Sequence, residues 1–67
     1  MAIARVTELV SESTRSFEDA VNEGIARADK TLRNLTGAWI ESQKVVIEKG
    51  KITRYRVFMK VTFILDD

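Results

Sequence analysis

Neither cysteine nor histidine occurs in the 67 residues. That removes disulfides, zinc sites built on Cys or His, haem ligation through His, and catalysis by Cys or His. Metal binding is left to oxygen donors, which suit calcium or magnesium. Glycine is limited to Gly24, Gly37 and Gly50, too far apart for a phosphate-cradling loop. No charge of one sign dominates: 11 basic and 10 acidic residues are intermixed, for a net charge of +1. Apart from the Arg54, Arg56 and Lys60 series there is no basic face, so nucleic acid is not an expected partner. Apolar runs fall far short of the ~20 residues that span a bilayer, so no membrane partner is expected. The opening MAIARVTELV lacks a basic region followed by an apolar stretch and a cleavage site. The expectation is a soluble, unexported, cytoplasmic protein. Catalytic patterns are missing too. The carboxylates are scattered, nothing resembles an EF-hand loop, and a serine nucleophile would find no histidine base. An enzyme is not expected.

What is present is enough apolar material to fold, 45% of residues, in a chain that forms one domain over residues 1–67. A core of that size is marginal alone, and with disulfides and Cys/His metals excluded, oligomerisation is the favoured source of stability. The strongest pattern is Lys51 to Leu65, KITRYRVFMKVTFIL. Tyr55, Val57, Met59, Val61, Phe63 and Leu65 alternate with Arg54, Arg56, Phe58, Lys60, Thr62 and Ile64. A period of two rich in β-branched and aromatic residues predicts a strand with one buried face. It is more than twice the usual length of about 5–6 residues and needs partners along all of it.

Two further strands and a helix are predicted. Ala2 to Val10 is a short strand of imperfect alternation. The polar Ser11-Glu12-Ser13-Thr14 introduces a helix from about Thr14 to Asn34, with Ser13 the preferred N-cap and Ser11 and Ser16 the alternatives. Phe17, Ala20, Val21, Gly24, Ile25, Ala28 and Leu32 form its apolar stripe. Gly24 within that stripe implies close approach to the sheet. Glu23–Arg27 and Asp29–Arg33 are spaced as i,i+4 ion pairs. Asn34 suits a left-handed cap. Ala38 to Glu48 forms the next strand, with Trp39, Glu41, Gln43, Val45 and Ile47 on one face. Gly50 supplies a positive φ in a tight turn. The fold class is therefore α+β with β-α-β-β order. The last strand lies at the centre of a three-stranded antiparallel-type sheet, and one helix crosses one face. One helix cannot cover both faces of such long strands, so the other face, with Phe58, Ile64 and either Trp39 or Ile40, predicts subunit contacts.

Trp39, the only tryptophan, reads either as a core or interface anchor or as a stacking platform for a planar ligand. On the second reading Gln43, on the same strand face, would hydrogen-bond the ligand's edge. Asp66-Asp67 reads as a solvated end, or as one part of a cation-binding carboxylate cluster across a symmetric oligomer.

The β-α-β-β order, the segment ARADKTLRNL and the strand RYRVFMKVTFIL followed by acids closely resemble the dodecin family over nearly the whole chain. The patterns RA.KTLRNL and Y.V..KV.F.L are its most specific parts. The resemblance implies a hollow homododecamer of cubic symmetry that stores or scavenges flavins such as FMN or riboflavin, without catalysis. In that family paired flavins lie between symmetry-related subunits, sandwiched by tryptophans, and a glutamine on the last strand bonds the flavin ring. Here an alignment through the last strand puts Gly37 in the tryptophan slot and Arg56, after Tyr55, in the glutamine slot. Trp39 lies two residues beyond Gly37, about 6.6 Å along the strand. The resemblance is thus to a divergent branch without the flavin tryptophan, some members of which are associated with calcium. Two readings follow. In one, Trp39, Arg56, Arg54, Gln43 and Gly37 line a pocket for a flavin or another planar or anionic molecule, with Arg56 suited to a phosphate or carboxylate. In the other, the assembly is structural or holds divalent cations through carboxylates, at positions the sequence does not identify.

Overall fold

A computed structural model describes residues 3–65 of the chain. The elements are β1 (Ile3–Ser13), α1 (Phe17–Thr31), β2 (Leu35–Glu48) and β3 (Lys51–Leu65). The sheet order is β1-β3-β2, with β3 antiparallel to both neighbours. β1 and β2 therefore run the same way, and the long last strand is the centre of the sheet, as its alternation requires. Ala2, taken as the start of the first strand, and Asp66-Asp67 lie outside the described residues.

The helix lies on the face formed by the odd positions of β3. Val57, Met59, Val61 and Phe63 are buried there, beneath Ala20 and Ala28 of the helix. Leu9, Phe17, Val21, Ile25, Leu35 and Ile40 close around this core. Phe17 also meets Tyr55 edge to face, with ring centroids 5.1 Å apart. Gly24 is at the closest approach of helix and sheet. A Cβ there would sit 2.9 Å from both Met59 Cε and Ser11 Cβ, so the position excludes any side chain without movement. The adjacent Ser11 hydroxyl donates to the Ala20 carbonyl at 2.6 Å.

The first strand runs three residues further than expected and the helix starts correspondingly later. Ser13 is not the cap: it pairs with Tyr55 as the last residue of β1. Its hydroxyl accepts from the amides of Arg15 and Ser16 and donates to Asp19 Oδ2 at 2.6 Å. Ser16 is the N-cap, in extended conformation, accepting from the Asp19 amide at 3.0 Å. The tertiary ladder to Tyr55 outweighs local capping propensity at Ser13. The helix ends at Thr31, capped by an extended Leu32. Asn34 does take a left-handed φ of 62°, but beyond the cap, where its carbonyl accepts from the Ile64 amide at 3.1 Å. That bond draws Leu35 into the sheet, so β2 begins three residues before Ala38. Neither Glu23–Arg27 nor Asp29–Arg33 closes an ion pair among the described residues. All four residues are exposed to water, and Arg33 lies beyond the end of the helix.

The β2–β3 turn has positive φ at both central residues, Lys49 at 52° and Gly50 at 76°. This is the handedness that matches the twist of a two-residue hairpin. Beyond the Ser13–Tyr55 pair, β3 has only β2 beside it. The hairpin therefore projects past the helix and β1, with Ile47 and Ile52 exposed on it. Fifteen residues of strand span about 50 Å, which accounts for the long dimension of 52 Å in a molecule only 19 and 14 Å across the other axes.

Candidate functional site

The opposite face of the sheet has no helix on it, and its side chains fall into rows fixed by the strand register. The odd positions of β3 point to the helix, so the even positions point away, together with the residues that pair with them. From one end the rows are Ala4–Ile64, Val6–Thr62–Gly37, Glu8–Lys60–Trp39, Val10–Phe58–Ser42, Glu12–Arg56–Lys44 and Arg54–Val46.

This register brings together four of the five residues expected at a ligand site and separates the fifth. Trp39, Gly37, Arg54 and Arg56 share the helix-free face. Gln43 does not: it pairs with Val57, a buried residue of the helix side. The cause is an irregularity between Ile40 and Ser42, where Glu41 is an extra residue without a partner on β3. One inserted residue inverts the alternation beyond it. Trp39 and Gln43, equivalent by simple counting, consequently point to opposite sides.

Trp39 is 74% exposed, so within the subunit it is not a core residue. Two residues before it on the same face is Gly37, where a Cβ would meet nothing within 4 Å. The same face exposes Val6 and Val10 and leaves Phe58 and Ile64 half-buried. Unpaired apolar and aromatic surface of this extent, rimmed by charge, is characteristic of an interaction or ligand surface.

The charges on this face form two networks that periodicity alone did not single out. Lys60 Nζ lies 2.8 Å from Glu41 Oε1 and 3.9 Å from Glu8 Oε1. The hydrogen bond to Glu41, with the carboxylate charges of Glu41 and Glu8, holds the Lys60 ammonium above its ordinary pKa. Arg56 donates from Nε to Glu12 Oε1 at 2.6 Å and reaches the same oxygen with Nη2. Arg54 Nη1 lies 3.4 Å from Glu12 Oε2. The hydrogen bond from Arg56, followed by the guanidinium charges and the bond from Arg54, holds the Glu12 carboxyl below its usual range. A sequence signal for these networks did exist. Glu8 and Glu12 are four apart on β1, as Arg56 and Lys60 are on β3, the spacing that antiparallel pairing brings into register.

On the helix side, a groove of about 430 Å³ runs between β1 and the helix, past Leu9, Ser11, Glu23, Gly24 and Arg27. A smaller apolar one of about 210 Å³ lies between Ile25, Leu35, Ala38 and Val61. Among the described residues no group of three or more carboxylates converges as a metal cage.

An antiparallel sheet with its longest strand central, a single helix across one face and an aromatic, charged opposite face defines a small β-α-β-β fold. Its relatives place it more narrowly. The Dodecin family model matches residues 3–66, and the chain belongs to the dodecin family. It is 33% identical to the dodecin of Thermus thermophilus over 67 residues, covering 97% of this chain and 94% of that protein. Among solved structures it is similar to dodecin from Streptomyces davaonensis, with a TM-score of 0.94 and 35% identity over 98% of this chain and 97% of that one. It is also similar to the calcium dodecin of Mycobacterium tuberculosis, described as calcium-chelating, with a TM-score of 0.84 and 26% identity over 96% of this chain and 91% of that one.

Proposed function

We propose that the chain assembles into a hollow homododecamer that binds and stores a planar small molecule of the flavin type, FMN or riboflavin, without turning it over. The observation that carries this reading is Trp39, 74% exposed on the helix-free face beside the open position of Gly37. A large aromatic side chain left in water costs hydration free energy that a stacked ligand or a neighbouring subunit recovers. Membership of the dodecin family supports both the shell and the flavin class. Gly37 in the tryptophan slot and Arg56 in the glutamine slot support a place in the branch without the family's stacking tryptophan. Trp39 then acts as a displaced platform, about 6.6 Å further along β2, and the ring sits over Trp39 and Phe58.

The test is the visible absorption spectrum and native mass of the protein as purified. A flavin chromophore, or saturable uptake of added FMN, on a dodecameric mass supports the reading. A dodecamer that takes up no flavin removes the flavin class, and a monomeric or dimeric mass removes the shell.

One specific likeness favours a second reading, a calcium-binding assembly: the similarity to the calcium dodecin of Mycobacterium tuberculosis. Within one subunit no carboxylate cage forms among the described residues. A calcium site on this reading draws on carboxylates of more than one subunit. Calorimetric titration with calcium and with magnesium decides it. Heat of binding, with a melting temperature lowered by chelator, supports the second reading, and the absence of both removes it.

A further inference from the structure

The helix does not cover all of its own side of the sheet. It packs against β1 and β3 and scarcely reaches β2, the other edge strand. Ala38 shows the consequence. It pairs with Val61, so its side chain lies on the helix side, yet Val61 is buried while Ala38 is exposed. The space above Ala38 is the cavity of about 210 Å³. Ile25 of the helix bounds it, with Leu35, Thr36, Gly37 and Ala38 at the start of β2, and Val61 is its floor.

The local sequence holds this space open. Thr36 is an extra residue in β2, between Leu35 opposite Phe63 and Gly37 opposite Thr62. An extra residue of this kind bends its strand and re-aims the side chains beside it. The next two residues are glycine and alanine, so β2 has no large side chain there to fill the room. Ile25 and Leu35, both half-buried, form the walls.

The lining decides what enters. It has no charged side chain, and its one hydroxyl, on Thr36, donates to the Thr62 carbonyl at 3.4 Å. A charged or strongly polar molecule would give up hydration here and gain no partner among these side chains. Size is bounded as well. An apolar cavity of about 150 Å³ takes up benzene. A cavity of about 210 Å³ therefore holds one six-membered ring with a small substituent and excludes the fused rings of a flavin.

We propose that this cavity is a second ligand site, for a small apolar molecule built on a single ring. Trp39 pairs with Lys60 on the helix-free face and Ala38 with Val61 on the helix side, so the two sites lie on opposite sides of β2. The second site neither depends on the planar-ligand reading nor falls with it.

The experiment titrates the intact assembly with fluorobenzene, followed by fluorine NMR, and repeats the titration with fluorobenzoate, which adds a carboxylate to the same ring. Fluorobenzene is expected to bind saturably and to raise the melting temperature. Fluorobenzoate is expected to do neither. Ala38→Phe places one of the protein's own rings in the cavity. It should raise the melting temperature and abolish the fluorobenzene signal, with an unchanged response of Trp39 emission to FMN. Ala38→Leu is the smaller filler, which reads the site even where phenylalanine overpacks it, and should weaken fluorobenzene about tenfold. No saturable signal in the unsubstituted protein, equal binding of fluorobenzoate, or a fluorobenzene signal that survives in both variants overturns the site. An assembly that breaks apart in both variants also overturns it, and assigns the cavity to a side chain of a neighbouring subunit.

Discussion

Gly37 and Trp39 lie two positions apart on one face of β2 and make opposite demands: one offers empty space, the other an uncovered ring. Because a Cβ at Gly37 meets nothing within 4 Å, Gly37→Trp is expected to fold with an unchanged melting temperature and to tighten flavin binding, read by titration. Loss of folding or no gain in affinity contradicts the assignment of this slot. Trp39→Ala is expected to leave the assembly mass intact and to abolish flavin uptake; a variant that falls apart instead identifies Trp39 as an interface anchor. Gly24 is the reverse case. Alanine would improve helix propensity by about 1 kcal/mol, but its Cβ would collide with Ser11 Cβ as well as the mobile Met59 Cε. Overpacking dominates, and Gly24→Ala should destabilise by about 1–3 kcal/mol in urea unfolding. At this scale much was legible. Gly24 announced itself by its place in an apolar stripe, and Arg54 and Arg56 by alternation. Gln43 did not, because Ile40-Glu41-Ser42 carries no glycine or other residue that marks an irregular strand.

Among the elements, β3 and the apolar stripe of α1 were readable because each has one strong period and one buried face. The junction between β1 and α1 was not. Several serines and a threonine there compete for the cap, and only long-range pairing of Ser13 with Tyr55 decides between them. Ser16→Ala should therefore cost about 1 kcal/mol, measured by chemical denaturation, as expected for loss of an N-cap. The pairing of β1 with β3 also carries a pH signature. Glu12 titrates below its unfolded value because Arg56 and Arg54 favour its charged form. Its contribution is present above the unfolded pKa and is lost as pH falls through the folded one. Lys60, raised by Glu41 and Glu8, contributes fully below its unfolded pKa and loses its contribution only as pH rises through a still more alkaline folded value. Stability should thus fall on acidification through the carboxylate range, and Glu12→Gln should flatten that part of a plot of melting temperature against pH. An unchanged slope in the variant places the acid sensitivity elsewhere.

At the level of the whole molecule, a sheet 52 Å long with a helix on only part of one face is not self-sufficient. A 15-residue helix is about 22 Å long, less than half the sheet it must cover. The projecting hairpin leaves Ile47 and Ile52 in water, and the helix-free face leaves Trp39, Val6 and Val10 there. A two-stranded ribbon is marginal by itself, so in the proposed assembly neighbouring subunits are expected to cover it. The need for partners was legible from length and composition, whereas their arrangement depends on surfaces that one chain's periodicity does not encode. On the proposed function, the helix-free face, with Trp39 as platform, receives a planar ligand. Trp39 is the sole tryptophan, so its emission reports on that face without interference. Titrating the intact assembly with FMN while following Trp39 emission should give saturable quenching that riboflavin competes away. Emission that stays unchanged through saturating FMN would contradict the account.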